Sequence, residues 1–214
     1  MEEVLVHDGD AVLPGDLHVP EGAHELVVFA HGSGSSRLSP RNRQVAAALH
    51  EVGLGTLLMD LLTPEEERID ARTAELRFDI GLLGRRTTAA VDEMAARDPS
   101  VAIGCFGAST GAAAALVAAA ERPDVVRAVV SRGGRPDLAG PALGRVRAPT
   151  LLIVGGHDQA VIGSNRQAMS RMQCEVELEV IEGATHLFEE PGTLEQVALL
   201  AGGWFRQHLA PSSG

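Results

Sequence analysis

Short apolar runs separated by helical patterns organise this chain. Glu25–Ala30 (ELVVFA), Gly55–Asp60 (GTLLMD), Val101–Phe106 (VAIGCF), Val126–Ser131 (VRAVVS) and Thr150–Val154 (TLLIV) are short enough to be buried strands. Glu175–Ile181 (EVELEVI) predicts one strand more. Ahead of them, Val4–Val6 and Ala11–Val19, the latter broken by Pro14–Gly15, predict an antiparallel opening. Between the runs lie helices with local start and stop signals. Ser39 reads as an N-cap with Pro40 at the first helical position, and that helix stops near Gly53. Thr63-Pro64-Glu65-Glu66 has the capping-box pattern and opens a short acidic helix. A longer amphipathic helix is expected from about Ala74 to Arg97, an alanine-rich one up to Arg122-Pro123, and another around Ser164–Met172. Leu194, Val197, Ala198, Ala201, Trp204, Phe205 and Leu209 recur at helical spacing and form one buried face of a last helix. Strands alternating with helices imply βαβ units, hence an α/β fold with a mostly parallel twisted sheet and helices on both faces.

Composition fits one domain over residues 1–214, with Pro211–Gly214 a frayed tail: 45% of residues are hydrophobic and 22% charged. No apolar run is long enough for a membrane helix. The acidic start MEEVLVHDGD is no signal peptide, so the cytoplasm is the expected location. A net charge of −11 argues against nucleic-acid partners and anionic polymers. All 18 basic residues are arginine, and lysine and tyrosine are absent, which excludes a Schiff base, a Ser–Lys dyad or a tyrosyl acid. Two cysteines are too few for a disulfide framework, and Cys105, inside an apolar run, reads as a buried small hydrophobe. No HExxH, CxxC or HxH spacing occurs, so neither a metal nor another cofactor is expected.

The chemistry concentrates at strand ends. Gly107-Ala108-Ser109-Thr110-Gly111 matches G-x-S-x-G between an apolar strand and a helix. A serine on that tight turn projects its hydroxyl clear of the sheet, and the following helix aims its amides at a developing oxyanion. The bland alternative is a serine that merely caps the helix. A hydroxyl needs a base, and in this arrangement an acid and then a histidine follow in chain order. Asp158 stands just beyond TLLIV, and His186 in the loop after EVELEVI. Asp158 would orient His186 and stabilise its imidazolium. His157 is the nearest rival base, and Glu189 and Glu190 stand close enough to tune His186. The oxyanion donors would be the amides of Thr110 and of Ser33, in the loop His31-Gly32-Ser33-Gly34 after ELVVFA. Arg37 and Arg132 would lie on the same rim, each placed to hold a substrate carboxylate or else simply solvated or paired.

HGSGSS, GASTG, GGHD and GATHLFEEPG together resemble the dienelactone hydrolase-like branch of the α/β-hydrolase superfamily, from about Leu26 to Leu209. The resemblance implies the α/β-hydrolase fold, a Ser109–His186–Asp158 triad, and an oxyanion hole from the Ser33 and Thr110 amides. One departure matters: dienelactone hydrolases carry a cysteine nucleophile where this chain has Ser109, which favours ordinary carboxylic esters. Arg132–Pro149 is too short for a cap domain, so an open cleft and small ester substrates are expected. Thioester or peptide hydrolysis by the same triad, and a non-catalytic binding module, are the competing readings.

Overall fold

The computed structural model describes residues 1–210; the tail predicted at Pro211–Gly214 lies outside the described residues. Eight strands form one sheet in the order β1-β2-β4-β3-β5-β6-β7-β8. They are β1 (Glu2–Asp8), β2 (Ala11–His18), β3 (Glu25–Ala30), β4 (Gly55–Met59), β5 (Ala102–Ala108), β6 (Val126–Arg132), β7 (Thr150–Gly155) and β8 (Val176–Ile181). β2 pairs antiparallel with both β1 and β4, and every other pairing is parallel. Pro14–Gly15 does not break β2. Gly15 lets the strand pass close to β4, where a Cβ would stand 2.9 Å from Leu57 Cδ1.

The helices are α1 (Pro40–Glu51), α2 (Pro64–Thr73), α3 (Ile80–Arg97), α4 (Thr110–Glu121), α5 (Gln159–Met169) and α6 (Thr193–Leu209). α1 and α6 cover one face of the sheet through Val45, Leu49, Val197, Trp204 and Phe205. α3 and α4 cover the other through Leu83, Val91, Met94 and the Ala113–Ala120 stripe. Alanine lets α4 lie close against the sheet, since each small side chain keeps the helix axis near the strands.

Two expectations fail, each for a local reason. The helix predicted from Ala74 to Arg97 is interrupted. Asp70 Oδ1 accepts the amides of Leu76 and Arg77 at 2.8 and 3.0 Å, which bends the chain through a 3-10 turn at Leu76–Phe78. Asp79 then caps α3 by accepting from Leu82 N–H. The helix expected around Ser164–Met172 begins at Gln159, directly after Asp158, with Val161, Ile162, Asn165 and Ala168 on its buried side. Between β6 and β7 the chain makes only 3-10 turns over Pro136–Arg145, kinked at Gly140, so no cap domain covers the strand ends. Among the described residues no helix is long and apolar enough to cross a membrane.

Candidate active site

Strand register gathers the candidate residues. Ala30 pairs with Gly107, so the loop after β3 lies beside the turn after β5. Gly155 pairs with Ile181, so the loops carrying Asp158 and His186 are neighbours. Ala108 pairs with Arg132, which puts that arginine beside the turn. The residues lie far apart in sequence, and parallel pairing brings them to one sheet edge.

Ser109 adopts φ 51°, ψ −120°, a conformation costly for any residue with a Cβ. Its side chain makes no capping hydrogen bond to α4, so the bland capping role does not apply. Both elbow glycines are sterically required. A Cβ on Gly107 would stand 2.4 Å from Ala112 Cα, and one on Gly111 would stand 2.1 Å from Ala30 O.

His186 Nδ1 donates to Asp158 Oδ2 at 2.7 Å. Asp158 is the residue before α5 yet makes no side-chain cap there, leaving its carboxylate to the histidine. The two loops are laced by His157 N–H to Ala184 O at 3.0 Å and Gly156 N–H to Ile181 O at 2.8 Å. Glu190 grips the loop from below, accepting Thr185 N–H at 3.0 Å and Thr185 Oγ1–H at 2.6 Å. Those bonds hold the Glu190 carboxyl below the usual range. Glu190 thus positions the residue before His186, while Glu189 faces Arg41 at 3.5 Å. The rival base His157 is exposed.

Ser109 and His186 line one cavity of about 260 Å³, together with Ser33, Arg41, Asn42 and Arg132. In this resting geometry no hydrogen bond joins Ser109 Oγ to His186, whose ring bonds Asp158. Triads commonly tighten only when substrate arrives.

The loop after β3 is pressed against the serine turn: a Cβ on Gly32 would stand 3.1 Å from Ser109 Cβ. His31 fixes it from beneath. Its Nδ1 donates to Gly32 O at 2.9 Å and its Nε2 accepts Leu61 N–H at 3.0 Å. Burial lowers the His31 pKa, matching this neutral tautomer. The Thr110 amide, first in α4, has no acceptor within the helix. A second cavity of about 530 Å³, lined by Ser33, Ser36, Leu62, Glu67 and Arg77, opens on the far side of the same loop.

The two rim arginines part company. Arg37 ion-pairs with Asp60 and, at 3.5 Å, with Asp16, and its amide donates to Asp60 Oδ1 at 2.7 Å. It ties its loop to the sheet and does not line the Ser109 cavity. Arg132 does line that cavity. Sequence reading missed Arg41 and Asn42. Their placement depends on the start of α1 meeting Arg132 at the end of β6, which no local motif announces.

The lidless α/β sheet with a strained serine at its edge defines the protein as an α/β hydrolase. The chain belongs to the dienelactone hydrolase family, whose model matches residues 22–200. It is similar to a crystallised dienelactone hydrolase from Anabaena variabilis, 57% identical with a TM-score of 0.95 and 97% of each chain covered. An α/β serine hydrolase without lid from Xanthomonas campestris shares the fold at 19% identity, with a TM-score of 0.78 over 99% of this chain and 96% of that one. A Mycobacterium tuberculosis (strain H37Rv) protein named as a phosphoribosyl transferase is 58% identical over 210 residues, 97% of this chain and 46% of that protein. The chain therefore spans about half the length of the curated relatives it matches.

Proposed function

We propose that this protein hydrolyses small carboxylic esters through an acyl-enzyme on Ser109. The observation that carries the reading is the 2.7 Å bond from His186 to Asp158 beside a serine held in a strained turn, both opening on one cavity. In this reading His186 Nε2 takes the proton from Ser109 Oγ as the oxygen bonds to the ester carbon. Asp158 stabilises the imidazolium that results. The Ser33 and Thr110 amides receive the oxyanion. His186 then protonates the departing alkoxide, and a water molecule, deprotonated by the same ring, releases the acid. The absence of a cap between β6 and β7 supports short, exposed ester groups over long chains.

The transferase name belongs to relatives of which this chain spans under half. Thioesters and amides are the competing substrates for the same residues, and matched panels rank them, with the ester fastest. The decisive test is Ser109→Ala with p-nitrophenyl acetate. The variant loses on the order of a million-fold in kcat and no longer labels with a fluorophosphonate. Undiminished turnover would remove the proposal.

A further inference from the structure

Arg132 is a buried cation with no acid to match it. Only 6% of the residue is exposed. Its Nη2 donates to Asn42 Oδ1 at 3.1 Å, while its buried Nε has no protein acceptor. Among the described residues no carboxylate lies within ion-pair distance. Beneath it lies only the ring of Phe188, 6.0 Å from the guanidinium carbon. The second cation on the cavity wall, Arg41, repels it. Burial, then Arg41, lowers the Arg132 pKa to about 10, which still leaves it charged at neutral pH.

A desolvated, unpaired arginine costs stability, and a chain with 29 acidic residues had ample means to pair it. Arg132 instead lines the wall shared with Ser109 and His186, as a preformed socket for the oxygens of an anion does.

We propose that Arg132, assisted by Arg41, binds an anionic group of the substrate, a carboxylate or a phosphate, and so selects charged half-esters over neutral esters. The proposal rests on the esterase reading and deepens it. The small cavity places the anion on a short arm from the scissile bond. The anion supplies the counter-charge that the fold withholds.

The experiment compares kcat/KM within two matched pairs. Mono-4-nitrophenyl glutarate against 4-nitrophenyl pentanoate places a carboxylate on the acyl arm. 2-Acetoxyethyl phosphate against 2-acetoxyethyl methyl ether places a phosphate on the alcohol arm. The wild type prefers the charged member of at least one pair by about tenfold to a hundredfold. Which pair responds identifies the anion. In Arg132→Met that ratio falls to near one, in Arg132→Lys it is intermediate, and in Arg41→Ala it falls by a few fold. Arg132→Met keeps or raises the melting temperature, because it removes an unpaired buried charge. A structural arginine would lower it.

Equal rates within both pairs in the wild type would overturn the proposal, as would a preference that survives in Arg132→Met. Should that variant not fold, a preference unchanged in Arg132→Lys and Arg41→Ala overturns it equally. Absence of turnover on all four compounds strikes the esterase reading instead. The anion site is then read by calorimetry with glutarate and inorganic phosphate, which bind the wild type and not Arg132→Met. Equal affinity for both proteins, or binding to neither, refutes it.

Discussion

Two arginines are buried to similar depths, Arg86 against the loop after β4 and Arg132 at the end of β6, and they are treated in opposite ways. Arg86, on α3, donates to both Glu66 oxygens and to Leu61 O, and stands 3.6 Å from Asp8. That corner ties β1, the loop after β4, α2 and α3 together, and Arg86 holds the Glu66 carboxyl below its usual range. Arg132 has an amide oxygen, an aromatic face and a cavity. The first corner is built for stability. The second gathers the features that a fold optimised only for stability would lack: a strained serine, an unmatched cation and an unroofed wall. Charge pairing at the first corner lets the protein tolerate its absence at the second.

After the loss of Ser109, the largest expected effect comes from breaking the charge-paired corner. Arg86→Met leaves Glu66 partly buried with only the Thr63 amide as partner and removes the bond to Leu61 O. It lowers the unfolding free energy by about 3 kcal/mol in urea titration. A change below about 0.5 kcal/mol would erase the contrast with Arg132. Next is His31, which belongs to both regions because it joins the Gly32 carbonyl to the Leu61 amide. His31→Ala leaves the Leu61 amide without its partner and the Gly32 carbonyl with the Ser35 amide alone, costs about 2 kcal/mol, and lowers kcat on the order of a hundred-fold more than it raises KM. Unchanged kcat would show that the loop holds its shape unaided.

The smallest expected effect is with acid. Burial lowers the pKa of His31, and burial, with His18 beside it, lowers that of His50 to about 4. The unfolded chain then binds more protons than the folded one below the ordinary histidine value of about 6.5. The associated stability is fully present above that pH and is lost as pH falls toward 4. Urea midpoints at pH 7.5 and 5.5 check the sign, and a higher midpoint at pH 5.5 would reverse it.

Much of this arrangement could be read from residues alone, because the elbow, the GGHD turn and the GATH loop each carry their meaning locally. Small residues around Ser109 and an acid or histidine just past an apolar run are one-dimensional signals. The Ser39 and Thr63 caps were equally readable, since a cap acts within four residues. What escaped was contact between distant segments. Asp70 ends α2 and bends the next turn with its own carboxylate, so apolar periodicity ran straight across a break. Arg37 and Arg132 look alike in sequence, both expected on the same rim. Only the fold sets Asp60 and Asp16 beside the first and leaves the second facing Ser109.

The positive φ of Ser109 has a further consequence. At φ 51°, ψ −120° a glycine would sit at ease where the serine does not. A gene copy released from selection on its chemistry can therefore grow sturdier by one substitution that also silences it. Relatives in which this position has drifted would be read as dead by their sequences and tough by their melting curves, and the two properties would share a single cause.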